Sequence, residues 1–275
     1  MTLIGTAMLS ISGLKKYYPI KRGVMQRTQG VVRAVDDVSL EVQQGETVSI
    51  VGESGCGKTT LARLMVRLIQ SDCGKIVLDG VDISHLSSAA MRPHRRKIQM
   101  VFQDPYSSLD PFYTVRNLLK EALTFEQGLT VHEKDRRMAD LLKEVQLPEN
   151  TLDRFAHEFS GGERQRIAIA RALLMKPNLL ILDEAVSSLD VLVQDQILKL
   201  LLDLKKKFSL TYIFISHNLR VVKKISDKIA VMHEGKIVEF ASAGEIFTNP
   251  AHSYTRELIA AAMDYKTIFS REEKI

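Results

Sequence analysis

The chain of 275 residues is 45% hydrophobic and 26% charged, the composition of a soluble globular protein with one sizeable core or two small ones. No stretch reaches the about 18 to 20 uninterrupted apolar residues of a membrane-spanning helix, so the chain is not expected to cross a bilayer alone. The net charge of +5 is scattered except for short clusters such as Arg95-Arg96-Lys97 and Lys205-Lys206-Lys207, which read as solvated helix faces rather than a nucleic-acid footprint.

In chain order, MTLIGTAMLSISGLKK is apolar but carries its basic residues after the apolar part, so no export signal is expected. Apolar runs predict strands at 8–14, 38–42, 47–51, 75–78, 98–102, 179–182, 212–215 and 229–232. Helical patterns at 59–69 and 193–206 lie between several of them, and strand-helix-strand alternation means a parallel sheet covered by helices. From about Asp104 to Arg164 the strands vanish, and TVRNLLKEALTF and HEKDRRMADLLKEV predict an inserted helical subdomain. The run FSGGERQRIAIARAL places a Ser-Gly-Gly turn at the start of a strong helix. A Glu234-Gly235 turn joins two short strands, and a last helix is expected at 253–263. Cys56 and Cys73 form no CxxC pair and read as free thiols of a reducing compartment.

After the strand TVSIV comes Gly52-Glu53-Ser54-Gly55-Cys56-Gly57-Lys58-Thr59-Thr60, which fits G-x-x-x-x-G-K-[ST] between a strand and a helix. Such a loop curls so that successive amides point into one concavity, and the helix N-terminus behind it adds partial positive charge. Lys58 is expected to bridge the β- and γ-phosphates and the Thr59 hydroxyl to coordinate Mg²⁺. Cys56, beside that helix start, sits where a thiol pKa is expected to fall.

The run LLILDE ends an apolar strand in two carboxylates, and adjacent strand residues face opposite ways, so the two cannot share a task. Asp183 is assigned to Mg²⁺ through water and Glu184 to the attacking water as general base. His217, ending the strand of TYIFISHNL, is expected to hold the γ-phosphate and water in line with Glu184. Gln103, where the helical insert begins, is expected to reach the metal or the water and to act as a hinge.

Taken together, GESGCGKTT, VFQD, FSGGERQR, LLILDEAVSSLD and FISHN resemble, over essentially the whole chain, the nucleotide-binding subunit of an ATP-binding-cassette (ABC) transporter. The resemblance implies an α/β fold: a P-loop NTPase (RecA-like) core with an antiparallel β subdomain and an inserted α-helical subdomain. Residues 1–103 and 165–235 would form the nucleotide-binding core, 104–164 the helical subdomain and 236–275 a C-terminal element, within one ABC ATPase domain of 1–275. It implies ATP and Mg²⁺ as ligands. Two cassettes dock head to tail, so Ser160, Gly161 and Gly162, with Glu163 beside them, would meet the triphosphate held by the second cassette. Ser187, Ser188, Leu189 and Asp190 match the D-loop of the dimer seam. Tyr18 matches the aromatic platform for adenine, with Tyr17 one position away as the other candidate.

VFQDPYSSLDPFYTV, the long segment between Tyr18 and Val31, and EIFTNPAHSYTRELIAAA resemble the peptide and nickel importer branch. This implies a second, homologous ATPase subunit, two transmembrane permeases, an extracytoplasmic binding protein acting indirectly, and a peripheral place on the cytoplasmic face of the inner membrane. Ala185 in DEAVSSLD is similar to nickel-type members, so di- or oligopeptide and nickel both stand as substrates. Glu163 replaces the usual glutamine, and its charge about 6 Å from a triphosphate would cost roughly 3 kcal/mol at an effective dielectric near 20. An acid at a helix start gains ~0.3 to 1 kcal/mol, and Arg164 and Arg166 are placed to draw it aside, so a tolerated variant is expected. Ser253 stands where HSYT usually has proline. The other readings are a soluble ABC ATPase acting on nucleic acid or ribosomes, which usually carries long coiled coils or paired cassettes, and a small-molecule kinase, which leaves FSGGERQR and His217 unused.

Overall fold

The computed structural model describes residues 7–22, 27–103, 109–124, 126 and 128–269. Residues 104–108 of the VFQDPYSSLD segment and 23–26 of the segment after Tyr18 lie outside the described residues. The chain forms two compact units, one of Met1–Met91 with Ile213–Ile275 and one of Arg92–Tyr212.

In the first unit, strand β1 (Ala7–Arg22) pairs antiparallel with β2 (Arg27–Gln43) and, on its other edge, with β4 (Cys73–Leu78), which pairs with β5 (Val81–Asp82). Leu9, Ile11, Leu14, Val38, Leu40 and Val42 are buried, whereas beyond the core the hairpin carries exposed Tyr18, Ile20, Val31 and Val32. The expected strands 8–14 and 38–42 are thus only the buried parts of two longer ones.

A second layer is built on β3 (Thr47–Val51), buried along its whole length, which runs parallel to β9 (Lys228–His233); β9 turns at Glu234-Gly235 into antiparallel β10 (Lys236–Ser242). A strand covered on both faces reads as an unbroken apolar run, which is why TVSIV was legible. Helix α1 (Lys58–Met65) is shorter than the expected 59–69. Arg67 adopts a left-handed φ of 57°, and its guanidinium donates to the carbonyls of Ile83 and Leu86, which ends the helix there. Three helices complete the unit: α7 (Leu219–Ile225), α8 (Ala243–Thr248) and α9 (Ser253–Phe269). The first two are short and were not expected.

The second unit begins in α2 (Ser88–Lys97), an unexpected helix with Pro93 inside it, which leads into β6 (Ile98–Val101). β6 lies parallel to β7 (Leu179–Asp183), fully buried along its length. Between them come α3 (Val115–Ala122), α4 (Val131–Glu144) and α5 (Gly161–Leu174). Their apolar faces meet over buried Leu118, Leu119, Met138, Leu142 and Ile167. Each starts on a hydroxyl cap, Thr114, Thr130 and Ser160 respectively. After β7, α6 (Val191–Phe208) is capped by Asp190 and exceeds the expected 193–206 at both ends, and β8 (Thr211–Ile215) follows it, buried along its length.

Candidate functional site

In the first unit, the loop between β3 and α1 is held tight by its glycines. A Cβ on Gly52 (φ 151°) would lie 2.1 Å from the Met232 carbonyl oxygen, and one on Gly57 (φ 108°) 2.0 Å from that of Ala34. Backbone cannot yield that distance, so both positions admit only glycine. Glu53, Ser54 and Gly55 are exposed at the crest of the loop, and Thr59 and Thr60 are half-buried at the helix start. No side chain caps α1 and no acid lies in its first turn, an arrangement suited to an anion. Lys58 is 5% exposed, and its ammonium donates to the carbonyls of Gly52 at 2.8 Å and Glu53 at 2.7 Å.

Cys56 is buried, and burial pushes its thiol pKa up, outweighing the nearby Lys58 charge. The expected lowering by the helix start is therefore corrected: desolvation wins.

On β1 the two tyrosines differ. The Tyr17 hydroxyl donates to Asp36 Oδ1 at 2.5 Å, and that bond with the carboxylate raises its pKa and lowers that of Asp36. Tyr18 is 40% exposed, with the Lys16 ammonium 5.5 Å from its ring centre. His217 is exposed between Ser216, whose hydroxyl accepts from the Asn218 amide, and Asn218, whose side chain accepts from the Arg220 amide at the start of α7.

In the second unit, Asp183 closes β7 with 2% exposure and Glu184 follows in a left-handed conformation, φ 47°. That turn is held by the Ser187 amide and hydroxyl, which both donate to the Glu184 carbonyl, at 3.0 and 2.9 Å. Gln103, just past β6, donates from Nε2 to Glu184 Oε2 at 2.8 Å. Glu184, assigned to the attacking water, and Gln103, assigned to the metal or the water, are thus brought together here.

The Ser-Gly-Gly turn is a capping box. Ser160 accepts from the Glu163 amide, while the Glu163 carboxylate accepts from the Ser160 amide at 2.9 Å and hydroxyl at 2.7 Å. These bonds hold the Glu163 pKa below its ordinary value. The charges of Arg154 and Arg166 add to that lowering, while hydrogen bonds of Arg164 and Arg166 go to other groups. Arg164 donates to the carbonyls of Phe159 and His157, and Arg166 to the Val145 carbonyl and Gln146 Oε1. Gly161 opens α5, and a Cβ on Gly162 would lie 2.5 Å from Val193 Cγ1 in the first turn of α6. Asp190 caps that turn, accepting from the Val193 amide at 2.9 Å.

The first unit therefore carries Tyr18, the 52–60 loop and His217, and the second carries Gln103, Asp183, Glu184, the 160–163 turn and Asp190. One loop contact escaped the sequence reading. The hydroxyl of Tyr254, in α9, accepts from the Glu53 amide at 3.1 Å, across 201 positions. Its motif HSYT signalled only a branch resemblance, and nothing in its spacing points to the loop.

A family model described as ABC transporter matches residues 35–187. The oligopeptide transport ATP-binding protein AppF of Bacillus subtilis is 48% identical over 255 residues, 92% of this chain and 78% of that protein. The "Probable peptide ABC transporter ATP-binding protein y4tS" of Sinorhizobium fredii is 48% identical over 256 residues, covering 93% of this chain and 72% of that one. Among solved structures, the dimeric post-hydrolysis ATP-binding cassette MJ0796 bound to ADP and Pi aligns with a TM-score of 0.76 at 27% identity, covering 86% of this chain and 99% of that one.

Proposed function

This chain belongs to the ABC transporter family, and we propose that it is the ATP-hydrolysing subunit of a peptide importer. The observation that carries the peptide assignment is 48% identity across 92% of the chain to a protein named for oligopeptide transport. Neither of the two relatives described above is named for a metal, so peptide is favoured over nickel. Both are named for transport, which favours that role over action on nucleic acid or ribosomes.

ABC cassettes work as dimers with transmembrane permeases. Here the finer reading is a homologous second ATPase subunit, two permeases and an external binding protein, with this chain peripheral on the cytoplasmic face of the membrane. Among the described residues, no helix is long and apolar enough to cross a membrane.

The roles follow from the chemistry of each group. Lys58, whose ammonium is held by the carbonyls of Gly52 and Glu53, is placed to exchange them for the phosphates. The amides from Gly55 to Thr60 add donors without charge. Tyr18 offers an exposed ring to adenine. Magnesium would take oxygen donors of the kind offered by the Thr59 hydroxyl in the first unit and, in the second, by the Asp183 carboxylate and the Gln103 amide oxygen, whose amide nitrogen is given to Glu184. When bound, it would neutralise charge on the β- and γ-phosphates. Glu184 accepts the proton of the attacking water, Gln103 fixes the carboxylate that does so, and His217 holds water and phosphate in line. Ser160, Gly161 and Gly162 would meet the triphosphate held by the second cassette, with Glu163 and Asp190 capping the helices behind that surface. Because a ligand shifts a conformational equilibrium only by differential affinity, those contacts must form on closure alone.

The test is uptake of labelled di- and oligopeptides, with nickel in parallel, in cells lacking the subunit. Peptide uptake should be lost, restored by the wild-type gene, and not restored by Lys58→Ala. Loss of nickel uptake with peptide uptake intact would overturn the assignment.

A further inference from the structure

We infer that Tyr254 is a positioning residue for nucleotide binding, a hydroxyl strut by which the C-terminal helix fixes the first peptide of the phosphate loop. Lys58 Nζ donates to the Gly52 carbonyl at 2.8 Å and the Glu53 amide donates to Tyr254 Oη at 3.1 Å. Those two groups belong to one planar peptide unit, so a grip at each end sets its orientation. The flanking Gly52, forced by the Met232 carbonyl to lack a side chain, otherwise leaves that peptide wide conformational freedom.

The grip matters most when nucleotide arrives. As Lys58 turns to phosphate, the carbonyl end is released while the Tyr254 hydroxyl keeps its hold on the amide end. Preorganised donors bind better than donors that must be ordered on binding.

The strut itself is rigidly founded. Tyr254 is 9% exposed and its ring packs on His233, the last residue of β9, with centroids 3.9 Å apart. The turn before it is clamped by Glu239 of β10, which accepts from the amides of Ala251 at 2.8 Å and His252 at 3.0 Å. The Tyr254 amide in turn donates to His252 Nδ1 at 3.2 Å. Burial raises the phenol pKa, so the group is a neutral hydroxyl at neutral pH.

The inference rests on reading the 52–60 loop as the nucleotide site. The experiment is ATP titration by calorimetry on the full chain, with steady-state ATPase in the assembled transporter, for wild type, Tyr254→Phe and Lys58→Ala. Tyr254→Phe keeps the ring on His233 and deletes only the hydroxyl. It should raise Kd and KM for ATP about three- to tenfold, leave kcat within twofold, and leave the nucleotide-free thermal midpoint unchanged. Kd within twofold of wild type overturns the role, whatever the midpoint does, and so does a fall in kcat at unchanged Kd. Binding by Lys58→Ala as tight as wild type would instead overturn the reading of the loop, and the strut with it.

Discussion

Gln103 and Glu184, 81 positions apart, are joined by a hydrogen bond of 2.8 Å from Nε2 to Oε2. A general base oriented by such a bond is placed for proton transfer, and losing it costs typically 10²- to 10⁴-fold. Glu184→Gln is therefore expected to bind ATP normally while single-turnover hydrolysis falls by about that factor. Gln103→Ala should lose less, since it removes the orienter and keeps the base. Turnover of Glu184→Gln at the wild-type rate would exclude this residue as the base.

Glu163 is bound to its own helix cap, so its charge is partly spent before any triphosphate approaches. ATPase activity of the assembled transporter should rise less than tenfold on Glu163→Gln at neutral pH, and a larger rise would show that the charge impairs the site. The pH dependence has a definite sign. A native carboxylate pKa lowered by the Ser160 bonds stabilises fully above the ordinary glutamate value of ~4.3 and is lost as pH falls through the lowered one. The thermal advantage of wild type over Glu163→Gln, about 0.3 to 1 kcal/mol at a helix start, should accordingly vanish as pH drops from about 6 to about 3.

Buried Cys56 and exposed Cys73 should alkylate at different rates. With its thiol pKa raised, Cys56 holds little thiolate near neutral pH and is expected to react with iodoacetamide more slowly than Cys73, as read by peptide mass spectrometry. Its Sγ lies 3.7 Å from Lys58 Nζ, so the fraction modified at Cys56 should lose ATP binding and ATP should slow the labelling. Unaffected binding after full labelling would contradict this.

Adenine stacking separates the adjacent tyrosines. Stacking of a base on an aromatic ring contributes ~1 to 3 kcal/mol, so Tyr18→Ala should raise KM for ATP roughly five- to hundredfold. Tyr17→Phe deletes only the hydroxyl bond to Asp36 and should leave KM within twofold. The opposite ranking in ATPase kinetics would move the platform to Tyr17.

Legibility tracked burial. β3 and β7, covered on both faces, announced themselves as apolar runs, and the glycine-rich loop between β3 and α1 was legible from its spacing. The outer halves of β1 and β2 did not, because LKKYYPIKR pairs with β2 beyond the core and carries no burial signal. Helix α2 was hidden by Pro93, which argues against a helix locally, and α7 and α8 by lengths too short for a period to show. At the site, the residue types were readable, but their partners were not. That Glu163 would choose Ser160 over Arg166, or that a phenol from α9 would reach the loop, depends on folded geometry.

The contact of Gly162 with Val193 has a mechanical consequence. A side chain at Gly162 would have to turn Val193 aside or push the first turn of α6 away, so the two helix starts meet at a seam only glycine leaves this close. The 160–163 turn and the cap at Asp190 thereby share one contact, and a bulkier residue at 162 would disturb both.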